Sequence, residues 1–267
     1  MRSLPSFSSP PVVETAIAVQ FRPLKGLKNV HLAEFWSSIA ADYPATLDQE
    51  PLPPRLESFD APRPRGPVLQ IQAAHLGGRI QAVSADQHAM VQLQNGWFIY
   101  NWRRLAAKAD AYPRWSTSSA EFTRRSREFS AFLEGRGFGR PDLVQWEVTY
   151  VNHLMKGDDW ASPKDWPGLL PGLLGAWTPT TGSVEALSSD VQLVLPDRRG
   201  RVYIELRHAV LTADNSTELL TLVLTARGAV TAGHSAESGL ELGHKAIVTL
   251  FAEVTGATAH QRWGKSE

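Results

Sequence analysis

The chain has 267 residues, 43% of them apolar and 20% charged, with Lys plus Arg and Asp plus Glu balanced at 27 each. This is the composition of an ordinary globular protein long enough to bury a substantial core, and the zero net charge argues against a dedicated non-specific nucleic-acid binder. With no cysteine, disulfides, thiolate metal sites and cysteine nucleophiles are excluded.

Residues 1–11 carry no apolar h-region and read as a short flexible tail. No window reaches the ~18 to 20 apolar residues of a membrane span, so cytoplasm is the expected location. Val12 to Phe21 alternates, with Val13, Ile17, Val19 and Phe21 on one side and Glu14, Ala16, Ala18 and Gln20 on the other: a strand. Leu32, Phe35, Trp36, Ile39 and Ala40 then recur at helical spacing, with Asn29 as the expected cap and Pro44 as the stop. Residues 45–67 are proline-rich and lack periodicity, which predicts a long connection. Leu69–Ala74 and Arg79–Ser84 read as two strands joined around Gly77-Gly78.

Asn95-Gly96 between two alternating runs predicts a tight hairpin. Its register sets Gln94 against Trp97, Leu93 against Phe98, Gln92 against Ile99 and Val91 against Tyr100. Val91, Leu93, Phe98, Tyr100 and Trp102 then form a core face, while Gln92, Gln94, Trp97, Ile99, Asn101 and Arg103 form a polar one. Loss of Trp102 is therefore expected to destabilise far more than loss of Trp97. Ser116–Arg136 reads as a helix striped by Phe122, Phe129, Phe132 and Leu133 and ended by Gly135 and Gly137. The pattern then restarts. Leu143 to Leu154 alternates, with Glu147 and His153 away from Trp146, Val148 and Tyr150. A short helix is expected within Pro163–Leu174, strands at Val184–Leu195, Val202–Val210 and Leu219–Thr225, and a closing helix at Ser235–Thr255.

Strand, helix, a run of strands and a helix thus occur twice. The division is a tail at 1–11, a first repeat at 12–140 and a second at 141–267, packed as one pseudo-twofold globule. Val13-Glu14-Thr15 aligns with Trp146-Glu147-Val148, and the run from Phe98 to Arg103 with that from Val202 to Arg207. The expected fold is α+β with a mainly antiparallel sheet. Its order resembles the duplicated saddle of TATA-box-binding-protein-like folds and the helix-grip folds.

Pro11-Val12-Val13-Glu14, Phe35-Trp36 with Tyr43-Pro44, the run QLQNGWFIYNWRR from Gln92 to Arg104, Tyr112-Pro113-Arg114, and the run from Glu147 to His153 together carry a further likeness. In these motifs the chain resembles a sporadically distributed family of uncharacterised bacterial proteins of about this length. The resemblance implies a cytoplasmic, patchily inherited accessory or defence-associated protein. It assigns no activity to any residue.

None of the eight histidines lies in a His-Glu-x-x-His pattern, and neither a Gly-x-Ser-x-Gly elbow nor a phosphate-binding glycine motif is present. No catalytic residue, metal set or cofactor is assigned. His153, followed by Asp158-Asp159, is the most interesting histidine; His208 ends another strand. Basic residues cluster at Arg103, Arg104, Lys108, Arg114, Arg124, Arg125, Arg127, Arg136 and Arg140, outnumbering Asp110, Glu121, Glu128 and Glu134. Trp97, Trp115 and Trp263 fall off the apolar faces and are expected on a contact surface.

The reading is therefore a non-enzymatic binding or interaction protein with a protein partner or a second copy of itself. The alternative is an enzyme or a nucleic-acid binder using the polar face of the sheet. The candidate binding residues are Glu14, Trp97, Asn101, Arg103, Glu147, His153 and Arg207. Glu14, Glu147, Arg103 and Arg207 are expected to meet in one polar cluster near the pseudo-twofold axis.

Overall fold

The computed structural model describes residues 3–59, 78–105, 112–175, 180–211 and 216–266. The strand expected at Leu69–Ala74 lies outside them, as do Gly77, Lys108 and Asp110. The chain is α+β. In order it runs β1 (Ser6–Phe7), β2 (Val12–Phe21), α1 (Asn29–Ile39), β3 (Ala45–Gln49), β4 (Arg79–Val83), β5 (Ala89–Gln94), β6 (Trp97–Arg103) and α2 (Arg114–Gly135). It continues with β7 (Leu143–Met155), the short helices α3 (Trp166–Leu169) and α4 (Pro171–Leu174), β8 (Ser188–Val194), β9 (Arg201–Val210), β10 (Glu218–Ala229), α5 (Ala236–Val254), α6 (Ala257–Arg262) and β11 (Lys265–Ser266).

Nine of the strands form one sheet in the order β3-β4-β5-β6-β2-β7-β10-β9-β8, every neighbouring pair antiparallel. Outward from the central β2–β7 pair, β6, β5 and β4 on one side face β10, β9 and β8 on the other. The hairpin at Asn95-Gly96 has the expected register, Gln94 against Trp97 through Val91 against Tyr100. Gly96 has φ +108, a conformation that suits a residue without Cβ.

Helices cover one face only: α1 rests on β4 and β5, α2 on β6 and β2, and α5 on β10 and β7. Alternation supplies the apolar floor, and α2 brings a matching stripe. Phe129 stacks on Phe98 at 5.5 Å and meets Phe35 of α1 edge-on at 5.0 Å. Buried Arg125, on the α1 side of α2, bonds Glu121 and Glu128 at 3.0 and 2.9 Å and also pairs with Asp42 beyond α1. Gly137 ends the helix with φ +79, and Phe138 N–H donates back to the Leu133 carbonyl at 3.0 Å in a Schellman closure.

The second half is seated differently. Trp146 of β7, fully buried, lies in a bed of glycines: Gly200, Gly228, Gly239 and Gly243 all approach its indole closely enough that an added Cβ would press on the ring. Gly239 and Gly243 are one turn apart on α5, so the helix can lie directly on the ring. Two glycines in a helix interior cost about 1 kcal/mol each in propensity, which the burial of an indole offsets.

Three expectations need correction. The first residues are not free: β1 pairs with β11, and Phe7 is buried against Phe251 at 5.4 Å. One buried ring in a Ser/Pro stretch leaves no periodicity to read. The long connection from residue 45 begins with a strand, β3, exposed along its whole length and paired only with β4. Trp97 and Trp263 are each only 4% exposed, so neither marks a contact surface. The contrast in stability expected between Trp97 and Trp102 disappears with the burial of both.

Gly239→Ala should lower the unfolding free energy by about 1 to 3 kcal/mol, because overpacking against Trp146 exceeds the gain in helix propensity. Gly135→Ala, at the end of α2 with open space around its Cα, should raise it by about 0.4 to 1 kcal/mol. Urea melts of the two variants check the opposite signs.

Candidate functional site

The uncovered face of the sheet holds every residue that the alternation selected. At one level across it, Gln94, Gln20 and Gln145 act as backbone substitutes for residues 52–57. Gln94 accepts from Leu52 N–H at 2.7 Å and donates to its carbonyl at 2.9 Å. Gln20 does the same for Arg55, at 3.1 Å each way, and Gln145 accepts from Glu57 N–H at 2.5 Å while donating to the Arg55 carbonyl. The proline-rich stretch is thereby strapped over Trp97, which packs with Ala18, Ile99 and Leu52. A buried amide needs both its donor and its acceptor satisfied, and an extended strap supplies both.

Further along the same face, Asn101 donates to Glu14 at 2.6 Å and accepts from Gln92 at 2.7 Å. The Gln92 Oε1 accepts from Arg79 and, at 3.3 Å, from Gln81. Arg103 stands opposite Glu14 in the ladder, and its Nε donates to the Gln87 carbonyl at 2.9 Å. Burial holds the Glu14 carboxyl above the ordinary carboxylate range, against the pull of the Asn101 hydrogen bond and the Arg103 charge.

Glu147 does not join this group. Glu14 stands opposite Val151 and Glu147 opposite Ala18, so four residues of strand, about 13 Å, separate the two glutamates. The partner of Glu147 is Arg227, its cross-strand neighbour on β10, at 3.6 Å. Burial raises the Glu147 carboxyl, while Arg227 and Arg55 lower it. Arg227 in turn lies over the Tyr203 ring at 4.3 Å, and Tyr203 donates to Glu57 of the strap at 2.5 Å. Arg207 sits one strand further out on β9, half-exposed and bonded to Asp190 of the edge strand at 2.6 Å. His153, opposite Thr221, lies at the far end of β7, where burial lowers its pKa. The expected four-residue cluster is therefore two separate Glu–Arg ladder pairs, Glu14 with Arg103 and Glu147 with Arg227. Of the candidate residues, only Glu14, Asn101 and Arg103 come together. Among the described residues no group of His, Asp or Glu has metal-site geometry.

The helical face contains a better site. Because α2 sits over β6 and β2 and α5 over β10 and β7, a cleft runs between the helices above the central strand pair. Trp115 bridges it. The indole N–H of Trp115 donates to Glu241 of α5 at 2.6 Å, and the ring stacks on His244 at 4.4 Å with 2° between planes. On one side of this bridge lies a cavity of about 310 Å³ with apolar walls from Phe7, Val12, Ile247 and Phe251. Its polar groups form a chain: Tyr112 donates to the Tyr150 hydroxyl at 2.9 Å, and Tyr150 lies 3.0 Å from His244 Nδ1. Tyr150 accepts from Tyr112, and it pairs with His244 Nδ1 as donor or as acceptor according to the imidazole tautomer. Burial pushes His244 down to about 4, against the pull of Glu241, and pushes the Tyr150 hydroxyl well above its usual range.

Two further features mark this cavity. Asn152, 1% exposed, lines it; its Nδ2 donates to the Leu222 carbonyl at 3.0 Å, but its Oδ1 has no hydrogen-bond partner. Arg114, at its mouth, has φ +69, a strained conformation for a residue with a side chain. That turn directs α2 so that Trp115 enters the cleft. The sequence did carry signals here. Tyr112 and Arg114 share one of the family-like motifs and Tyr150 and Asn152 another, and Asn152 is a polar residue at a core-facing position of its strand. His244 likewise interrupts the apolar stripe of the closing helix.

No family model matches the chain, and no curated protein matches it.

His244 has a folded-state pKa below its unfolded value of 6.5. Its neutral form therefore contributes stability that is complete above pH 6.5 and is lost as pH falls through about 4. Titration of the His244 ring by NMR should give a midpoint near 4. With the Tyr150 hydroxyl donating to Nδ1, Tyr150→Phe removes a bond that favours the neutral ring and should move that midpoint upward. A wild-type midpoint near 6.5 would mean that the hydroxyl–imidazole chain is not buried.

Proposed function

We propose that the chain is a non-enzymatic binding protein that takes a small molecule in the cleft between α2 and α5. The observation that carries this reading is Asn152 Oδ1, a buried acceptor without a partner in a residue that lines a largely apolar cavity. An unsatisfied buried acceptor costs about 1 to 3 kcal/mol, a cost that a bound donor relieves. The cavity matches the general form of small-molecule sites, apolar with a few convergent polar groups.

Catalysis is less well supported. His244 bonds a tyrosine through Nδ1, whereas a general base is ordinarily oriented by a carboxylate. Nucleic-acid binding is less well supported too. Arg124 and Arg125 are held by Glu121, Glu128 and Asp42, and Arg136 by Glu34, which leaves the basic segment without a continuous positive groove among the described residues. No helix of the described residues is long and apolar enough to cross a membrane. The same proposal places the protein in the bacterial cytoplasm, as an accessory or defence-associated component of the sporadically distributed family whose motifs it resembles. It takes the two halves as diverged copies, and it retains a protein partner or a second copy of the chain as the recipient of the binding signal.

The fluorescent dye 1-anilinonaphthalene-8-sulfonate tests the site. Saturable binding to the folded protein is expected, with blue-shifted emission and quenching of tryptophan fluorescence as Trp115 is approached. Val248→Trp and Ser116→Trp, which fill the cavity from its walls, should each weaken dye binding about tenfold or more without lowering the melting temperature. Unchanged binding in both variants would place the dye elsewhere and sink the proposal.

A further inference from the structure

The cavity beside Trp115 is polarised from floor to mouth, and its unused hydrogen-bonding atoms specify what can occupy it. At the floor, the orientation of the Asn152 amide is decided by the Leu222 carbonyl, which only Nδ2 can satisfy at 3.0 Å. The atom left over is therefore the acceptor Oδ1. Tyr150, also on the lining, is already bonded to Tyr112 and His244. The floor presents an acceptor. The mouth presents donors: Arg114 is exposed and lines the cavity, and among the described residues only its Nη1 is committed, to the Phe7 carbonyl at 2.8 Å. A guanidinium has five N–H groups in a planar fork suited to a carboxylate. Between floor and mouth the walls are apolar and aromatic.

We propose that the ligand of this cavity is a small aromatic carboxylate (or equivalent oxyanion) bearing a hydroxyl or N–H at its opposite end, with the donor on Asn152 and the anion on Arg114. This rests on the reading of the cleft as a binding site and adds the class and direction of what it binds. A molecule of the reverse polarity, with a cation at the mouth or a bare acceptor at the floor, meets like charge or like lone pairs at both ends. The left-handed turn at Arg114 suits a residue placed for recognition, since its conformation is costly and its side chain is exposed at the cavity apart from the one bond to Phe7.

A matched series on one ring system separates the two ends. Isothermal titration of the full chain with 6-hydroxy-2-naphthoate, 2-naphthoate, 2-naphthol and 6-hydroxy-2-naphthylmethylamine should rank the hydroxy acid first. 2-Naphthoate, lacking the inner donor, should bind about tenfold more weakly, as one hydrogen bond to a buried acceptor implies. The amine should bind at least as poorly. Arg114→Gln should remove the advantage of the hydroxy acid over 2-naphthol, and Asn152→Leu its advantage over 2-naphthoate. The ranking in the unmodified protein stands alone if Asn152→Leu fails to fold. Equal affinities for acid and amine, or for hydroxylated and bare naphthoate, would overturn the assignment of class. Dye binding that persists in that case would leave the cleft a binding site, whereas loss of both dye and naphthoate binding would overturn the underlying reading as well.

Discussion

The antiparallel pairing of β2 with β7 is the constraint on which the rest of the arrangement depends. Ala16 stands opposite Thr149 at its centre, and each lies two residues after a glutamate, Glu14 or Glu147. An antiparallel ladder through that point must send the two glutamates in opposite directions, and it did. It also joins everything before residue 140 to everything after it in one sheet, with no edge between them that needs capping. Because α2 packs on β6 and β2 and α5 on β7 and β10, the cleft lies between the two helices on the helical face. Two local fits hold the helices apart from one another: the Phe98–Phe129–Phe35 cluster under α2 and the glycine bed of Trp146 under α5.

Most of the architecture was legible in the residues because it follows short-range rules. The Asn95-Gly96 turn decided a register, two-residue alternation decided faces, and the stripes on α2 and α5 decided which side of each helix is buried. What failed was what depends on neighbours far away in the chain. Arg207 was paired with Glu147 because it ends a strand that resembles β6, yet the strand that neighbours β7 is β10. The alternation over Leu219–Thr225 stops short of Arg227, whereas β10 runs on to Ala229. Gly228 is inside the strand because Trp146 occupies the space where a side chain would be. Trp97 was expected to be exposed for a similar reason. Its own strand places it on the uncovered face, and only the distant stretch around Leu52 buries it.

The same distinction separates the two faces as candidate sites. Polar residues on the uncovered face are numerous, and that abundance drew attention to them. Three-dimensional pairing engages most of them: the glutamines in holding the strap and Asn101 in joining Glu14 to Gln92, while Glu147 and Arg227 face each other at 3.6 Å with Glu147 Oε2 and Arg227 Nε left without a hydrogen bond. Buried polar groups that satisfy one another specify a register and a strap position. They have little left for a ligand. The candidate residues were thus chosen by a sound rule, that charge in mid-strand needs a partner, and the chain itself provides most of those partners.

The cleft follows the opposite logic. Its polar residues are few, each was inconspicuous in the sequence, and their mutual bonds leave a remainder. Tyr112, Tyr150 and His244 form a hydrogen-bonded chain, and the stack of Trp115 on His244 fixes the last ring in place. A purely structural cluster of this kind could have been replaced by apolar packing at little cost. It is kept beside an acceptor that nothing satisfies and an arginine held in a left-handed turn. Each of the last two is a local cost of about 1 kcal/mol or more, and they occur at opposite ends of one cavity. An unsatisfied acceptor and a strained turn on the lining of one cavity are local costs of the kind that functional sites carry. The proposed site accordingly lies in the cleft, away from the charged face that the strand pattern favours.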